Sequence, residues 1–134
     1  MVSALTLLDA DDAPDTVDVR QKWSYFLLAD EIRRAAASGS QARDLPDLFR
    51  RVCFNALISN TDDHPRNHAI LAKDRAWSLS PAYDRTPDPI IALERRDLAM
   101  ALGTWGRYAN RVNCYRSANA FFCPKTRPQQ SSTA

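Results

Sequence analysis

A run of apolar residues at helical spacing stops abruptly at a polar segment near the middle of the chain. The residues on this apolar face are Leu45, Leu48, Phe49, Val52 and Ala56, and Leu57 and Ile58 widen it. The segment Ser59–Asn67 that follows is polar apart from Pro65 and cannot continue the pattern. We therefore expect a helix buried on most sides, beginning near Asp44 with Pro46 in its first turn, that delivers polar side chains onto a loop.

Recognisable patterns flank this helix and loop. Residues 21–37 predict an earlier amphipathic helix, ended by residues 38–40 with Gly39 as a left-handed cap. Residues 68–71 and 77–80 predict two short strands around a charged turn, and hence a hairpin. The predicted fold class is mainly α with a small β-hairpin.

Composition limits where such a chain functions. The 134 residues have room for one domain, and 45% are hydrophobic and 25% charged, as in ordinary soluble proteins. No apolar run approaches the roughly 20 residues that span a bilayer, and the first residues lack the basic leader of a signal peptide. We therefore expect a cytoplasmic protein without membrane contact, in which Cys53, Cys114 and Cys123 are reduced thiols.

The carboxyl-terminal end of the chain is basic. The net charge is +2, but the last acidic residue is Asp97 and five Lys and Arg residues follow it. They are too dispersed for a nucleic-acid-binding patch, so we expect no direct nucleic-acid binding. A short helix from about residue 107 to 119 is compatible with the sequence, and the last dozen residues predict disorder.

Asp62, His64, Asn67 and Asp84 are the candidate functional residues, three on the polar loop and one beyond the hairpin. Carboxylate and amide oxygens suit Mg²⁺, and a further aspartate can orient a hydroxyl and accept its proton. These are the minimum parts for phosphoryl transfer. Taken singly, however, each residue is more typical of a turn or a cap, because Asp and Asn side chains bond to nearby backbone.

The two histidines of the chain open another alternative. His64 and His68 are four positions apart, which suits a transition-metal pair or, with the aspartates, a metal-dependent phosphohydrolase. Pro65 lies between them and disfavours the helix that would align them. Further ligands are also scarce, because the chain has no third histidine.

Four stretches of the chain resemble one protein family. Phe54–His68 (F-N-A-L-I-S-N-T-D-D-H-P-R-N-H) is similar to the catalytic loop of HipA-type serine/threonine kinases, and Leu79–Asp84 (L-S-P-A-Y-D) to the family's metal-binding segment. Ser3–Leu8 and Trp23–Tyr25 resemble family positions before the loop. The resemblance implies that residues 1–110 are part of the carboxyl-terminal lobe of a kinase-like fold. We expect residues 111–134 to be a divergent, disordered basic tail.

The resemblance implies a role for each matching residue. Asp62 would be the catalytic aspartate, and Asn67, five residues later, would bind Mg²⁺, as in the D-x-x-x-x-N pattern of kinase loops. Asp84 would also bind the metal and bridge it to the phosphates of ATP. The residues implied to lie along the nucleotide are His64, Pro65, Arg66, Asn67, Tyr83 and Asp84, and the permanent charge of Arg66 suits phosphate.

The family also implies partners. Its members transfer the γ-phosphate of ATP to serine or threonine of a protein, often act as toxins, and are commonly paired with a DNA-binding, HipB-like antitoxin. A protein substrate and such an antitoxin are therefore the expected partners of this chain.

Some parts of a complete kinase are missing from these 134 residues. None of the three glycines lies in a phosphate-binding loop, and neither Lys22 nor Lys73 lies on a strand before the catalytic loop. We therefore expect the amino-terminal lobe to be absent and to come, if at all, from a separate chain. The alternative is an inactive kinase remnant that acts, if at all, as a binding module. The acid-free tail suggests a remnant that is truncated at the front and read out of frame at the back.

Overall fold

A computed structural model of the protein describes residues 1–35, 38–87 and 96–122. Within them lie helices α1 (Ala4–Leu7), α2 (Val17–Arg20), α3 (Tyr25–Ala35), α4 (Ser38–Leu57) and α5 (Arg111–Phe122), and strands β1 (Val2–Ser3), β2 (Ala69–Lys73) and β3 (Ala76–Leu79). Pro65–Asn67 and Gly103–Trp105 form 3₁₀ turns. The fold is mainly helical with a small three-stranded antiparallel sheet, and this confirms the predicted class in outline.

Helix α3 carries the apolar stripe that the sequence predicts, but it begins at Tyr25 rather than near residue 21. Ser24 explains the start, because its hydroxyl accepts the backbone N–H groups of Phe26 (3.2 Å) and Leu27 (3.4 Å) as a helix cap. Tyr25, Leu28, Ala29 and Ile32 are almost completely buried in the core. Ala36, which we placed on the same stripe, lies outside the described residues.

Helix α4 begins earlier than predicted, so Pro46 lies inside the helix rather than in its first turn. Residues 38–40 form the first turn of α4 and are not the predicted terminator with a left-handed Gly39. Asp44 lies within the helix, and its buried carboxylate accepts the backbone N–H of Leu79 at 3.0 Å. That contact joins α4 to β3.

The buried face of α4 is narrower than the sequence suggests. Leu45, Leu48, Val52 and Ala56 lie in the core, as predicted. Leu57, however, is 66% exposed, and Phe54 is 44% exposed. The prediction of a helix buried on most sides is therefore wrong for the last turn, where the chain leaves the core for the polar loop.

The predicted hairpin is confirmed. β2 and β3 pair antiparallel, with Ile70 opposite Leu79 and Lys73 opposite Ala76. Asp74 and Arg75 form the turn with φ angles of 51° and 65°, the left-handed geometry that matches the twist of a two-residue hairpin. A third strand, β1, pairs antiparallel with β2 and was not predicted, because two residues carry no alternation to recognise.

The segment before α5 contributes to the core although its sequence shows no clear periodicity. Leu98, Met100 and Leu102 are fully buried. The segment is held by backbone hydrogen bonds from Tyr25 N–H to the Ala101 carbonyl (3.0 Å) and from Ala101 N–H to the Trp23 carbonyl (2.8 Å). Its position is therefore set by contacts that are distant in sequence.

Residues 111–122 form helix α5, which overlaps the short helix that the sequence allowed over about 107–119. The expectation of a disordered tail from residue 111 is wrong for this part of the chain. The Asn110 side chain caps α5 by accepting the Asn113 N–H at 2.7 Å. Phe121 is buried, and its ring lies 5.8 Å from the ring of Phe26 and 5.3 Å from that of Phe49. Residues 123–134 lie outside the described residues, and the domain boundary at residue 110 stays a prediction.

Two expectations from composition can be compared with these elements. Cys53 on α4 and Cys114 on α5 are free thiols, as predicted, and they line one groove between these helices. Cys123 lies outside the described residues. None of the helices in the described ranges is both long and apolar enough to cross a membrane.

The buried face of α4 gives a first prediction. Leu48→Ala should lower the free energy of unfolding by roughly 2–5 kcal/mol, because it removes a fully buried side chain and leaves a cavity. Leu57→Ala is the matched control on the exposed side of the same helix and should change stability by less than about 0.5 kcal/mol. Urea titrations of both variants measure the difference, and equal losses would contradict this orientation of α4.

Candidate functional site

The polar loop begins at the end of α4, where Asn60 folds back onto the last turn of the helix. Asn60 donates its backbone N–H to the Asn55 carbonyl (2.9 Å) and its side-chain amide to Asn55 Oδ1 (3.2 Å). Ser59, between the helix and Asn60, has a left-handed φ of 60°. Asn55 and Asn60 are both buried, so these bonds fix the point at which the chain turns out of the helix.

Within the loop, the structure brings Asp62 and Asn67 together. The Asp62 carbonyl accepts the backbone N–H of His64 at 2.9 Å and the side-chain amide of Asn67 at 3.3 Å. The loop is thereby closed on itself around the 3₁₀ turn Pro65–Asn67. Asp62 is exposed, whereas Asn67 is only 5% exposed and its side-chain amide is largely enclosed.

Two contacts hold the segment after the hairpin against this loop. The Tyr83 hydroxyl donates to the Arg66 carbonyl at 2.6 Å, and Arg51 of α4 donates to the Ser80 carbonyl. Asp84, next in the chain, is exposed and has a φ of 55°. Tyr83 therefore contacts the loop that carries Asp62 and Asn67, and Asp84 follows it directly in the chain.

The electrostatics of Tyr83 agree with this placement. Burial raises the pKa of the Tyr83 hydroxyl above its ordinary value, and the negative charges of Asp63 and Asp84 raise it further, against a smaller opposing effect of Arg51. Tyr83 therefore stays a hydrogen-bond donor to the loop throughout the physiological pH range.

Asp63 forms a buried network that the sequence did not reveal. Its carboxylate accepts the Tyr25 hydroxyl and lies 2.8 Å from His68 Nε2. Burial alone would raise the pKa of Asp63, but the charge of His68 and hydrogen bonds from His68, Tyr25 and Asn55 outweigh it and hold the pKa below its ordinary value. Burial and the neighbouring Asp63 raise the pKa of Tyr25 well above its usual range. The sequence feature that could have revealed this network is the pair Asp62-Asp63, followed five residues later by Asn67-His68.

His64, Pro65 and Arg66 lie on one side of the loop. The His64 ring is 6.3 Å from the ring of Trp23, and Pro65 is buried. Arg66 is about half exposed and pairs with Asp12 at 2.8 Å, a contact between the loop and the amino-terminal segment. An exposed pair of this kind contributes little to stability, so an anionic ligand can displace Asp12 at small cost.

The described ranges contain no group of three or more His, Cys, Asp or Glu side chains suited to a metal ion, and His68 Nε2 faces Asp63. These ranges therefore offer no ligand set for the transition-metal alternative. Asp62, Asn67 and Asp84 carry hard oxygen donors, and Asp62 and Asp84 are exposed. That donor set fits Mg²⁺, which is held by one or two carboxylates and completes its shell with water or phosphate oxygens.

Comparison with protein families identifies the family of the chain. A profile of the HipA-like C-terminal domain matches residues 1–131. The chain belongs to this family. No curated protein sequence matches the chain. The match to the HipA-like C-terminal domain includes α5 and continues beyond it, and the out-of-frame tail stays a hypothesis.

The buried Asp63 gives a prediction about pH. Because its pKa is depressed in the folded state, its stabilising effect is present above its unfolded pKa of about 4 and is lost as the pH falls through the folded value. Asp63→Asn should therefore cost roughly 3 kcal/mol near pH 7, and the difference from the parent chain should shrink in acid.

Denaturant titrations at several pH values between 7 and 3 measure this difference. Asp15→Asn, which removes an exposed carboxylate, is the control and should give the same small difference at every pH. A difference between Asp63→Asn and the parent chain that stays constant down to pH 3 would contradict the depressed pKa of Asp63.

Proposed function

We propose that this chain carries the catalytic-loop and metal-binding part of a serine/threonine protein kinase, which transfers the γ-phosphate of ATP to a protein hydroxyl. The observation that supports it best is the closed loop in which the Asn67 amide donates to the Asp62 carbonyl, with Tyr83, the residue before Asp84, bonded to the same loop. A catalytic aspartate and metal-binding Asn and Asp side chains are what phosphoryl transfer requires of a kinase lobe. A kinase-like carboxyl-terminal lobe is the fold that this proposal implies.

Asp62 has the exposure expected of the residue that orients the acceptor hydroxyl and takes its proton. Asn67 and Asp84 are the proposed ligands of Mg²⁺, which neutralises phosphate charge when it is bound with ATP. The loop backbone hydrogen bonds keep Asp62 and Asn67 at a fixed separation before any ligand arrives. Preformed geometry of this kind lowers the cost of ordering the site on binding.

The nucleotide is proposed to lie along His64, Pro65, Arg66 and Tyr83. His64 is partly buried beside Trp23, whereas Arg66 and Tyr83 are exposed. Arg66 is then the cation that exchanges Asp12 for phosphate oxygens, a change that its weak surface pair permits.

Several kinase parts are not supplied by these 134 residues. The glycine-rich loop over the phosphates and the strand lysine have no counterpart in the sequence. Phosphoryl transfer therefore requires groups from outside these residues, and Mg²⁺·ATP binding is the step that this chain can be asked to perform by itself. A cytoplasmic toxin–antitoxin role, with a protein substrate and a HipB-like antitoxin, is part of the same proposal.

The alternative is a binding module derived from a kinase, which keeps the loop but transfers no phosphate. The same missing glycine-rich loop and lysine favour it. Phosphorylation of a generic serine-rich protein, with and without a supplied amino-terminal kinase lobe, distinguishes the two. Transfer that depends on Asp62 supports the kinase, and binding without transfer in both conditions supports the module.

Calorimetric titration of the purified chain with ATP and Mg²⁺ tests the metal site. We expect saturable binding, and a loss of affinity of at least about tenfold in Asp84→Asn, because a metal ligand loses its charge. Asparagine is the appropriate substitute, since it tolerates the left-handed φ of 55° at this position.

Asp74→Asn is the matched control for this titration. Asp74 is also an exposed aspartate with a left-handed φ, 51°, but it lies in the turn of the hairpin, away from the loop. Its substitution should leave the affinity unchanged. An equal effect of both substitutions, or no binding by a folded parent chain, would contradict the proposed metal site.

A further inference from the structure

The polar loop contains two interleaved pairs of residues with the same spacing. Asp62 and Asn67, five positions apart, meet through the Asp62 carbonyl and form the proposed reactive pair. Asp63 and His68, also five positions apart, meet through their side chains at 2.8 Å beneath the loop. We call Asp62 and Asn67 the outer pair, and Asp63 and His68 the inner pair. Each residue of the inner pair directly follows a residue of the outer pair in the chain.

The inner pair is fully enclosed and anchored. The side chains of Asp63 and His68 are both 3% exposed. Asp63 accepts the hydroxyl of Tyr25 on α3, and the Tyr25 ring meets the His68 ring edge-on with centroids 5.8 Å apart. The His68 carbonyl accepts the N–H of Ala4 at 2.8 Å. The inner pair therefore connects the loop to α3 and to the start of α1.

The two consecutive aspartates of the loop lie in different surroundings. The Asp63 carboxylate is buried and meets both Tyr25 and His68, whereas Asp62 is exposed. A buried carboxylate without such partners is strongly unfavourable, so these contacts favour the arrangement in which Asp63 lies inside and Asp62 outside.

We propose that Asp63 and His68 are positioning residues that hold Asp62 and Asn67 in the arrangement needed for phosphoryl transfer. This inference rests on the proposed function. Neither residue touches substrate, because both are buried beneath the loop. Stability alone does not require a polar pair here, since a well-packed apolar pair is often as stable in a protein core. The directional bonds instead fix how the loop lies against α3.

Hydrogen exchange followed by NMR tests the positioning without any ligand. The reporters are the backbone amides of His64 and Asn67, which are bonded to the Asp62 and His64 carbonyls at 2.9 Å each. In Asp63→Asn we expect both amides to exchange at least about tenfold faster, while amides in the middle of α4 change less. Unchanged protection of both amides would overturn the proposal, whatever the chain binds.

Leu48→Ala is the control that separates positioning from general instability. It removes a buried side chain of α4, away from the loop. We expect faster exchange in the middle of that helix, and exchange rates of the two loop amides that differ less from those of the parent chain. The same loop response in Leu48→Ala and Asp63→Asn would also overturn the proposal.

Titrations with Mg²⁺·ATP and with ATP in EDTA give the functional readout. The measured quantity is the ratio of the affinity for Mg²⁺·ATP to the affinity for metal-free ATP. This ratio should fall by about tenfold or more in Asp63→Asn and should be unchanged in Leu48→Ala. If the His64 and Asn67 amides exchange faster in Asp63→Asn but the parent chain does not bind Mg²⁺·ATP, the positioning is supported and the proposed function is rejected. Binding by the parent chain with an unchanged ratio in Asp63→Asn would reject the positioning alone.

Discussion

A carboxylate buried beneath a polar loop is tolerated only when its hydrogen-bonding partners are buried with it, and Asp63 meets this condition through Tyr25 and His68. These contacts join three parts of the fold: α3 carries Tyr25, the loop carries Asp63, and the residue before β2 is His68. The ionised carboxylate is favoured because its pKa is depressed. The loop that carries the candidate site is therefore fixed from the core side by electrostatics and hydrogen bonds.

The apolar scaffold determines where this loop lies. Helix α4 packs one narrow stripe into the core and ends beside Asn55 and Asn60, which turn the chain outward. The hairpin then brings residues 79–84 back, where Arg51 binds the Ser80 carbonyl and Tyr83 binds the Arg66 carbonyl. Tyr83, the residue before Asp84, thereby contacts the loop, although it is distant from Asp62 in sequence.

Periodicity and turn residues predicted the elements whose position is set by residues within the element itself. The stripes of α3 and α4 and the β2–β3 hairpin follow from periodicity and turn chemistry. Helix α5 was underestimated because its buried face includes Asn113 and Ser117, whose hydrogen bonds to the Tyr108 and Asn113 carbonyls make burial possible. Leu98, Met100 and Leu102 were missed because long-range backbone bonds, not local periodicity, place them.

The candidate site shows the same division. The motifs identified Asp62, Asn67 and Asp84, and their roles in catalysis and metal binding stay predictions. Asp63 went unnoticed because two neighbouring aspartates are chemically identical in sequence, and only the positions of Tyr25 and His68 distinguish the buried one from the exposed one. The contact between Asp44 and Leu79 was missed for a similar reason, since it is tertiary.

Mn²⁺ in place of Mg²⁺ tests the location of the proposed metal site most directly. Paramagnetic Mn²⁺, added with ATP, broadens the NMR signals of amides near the ion. The proposed function predicts selective broadening at residues 62–67 and 83–84, with the hairpin turn at Asp74 and Arg75 unaffected. Broadening centred on another part of the chain, or none at a saturating concentration, would contradict a metal–nucleotide site at this loop.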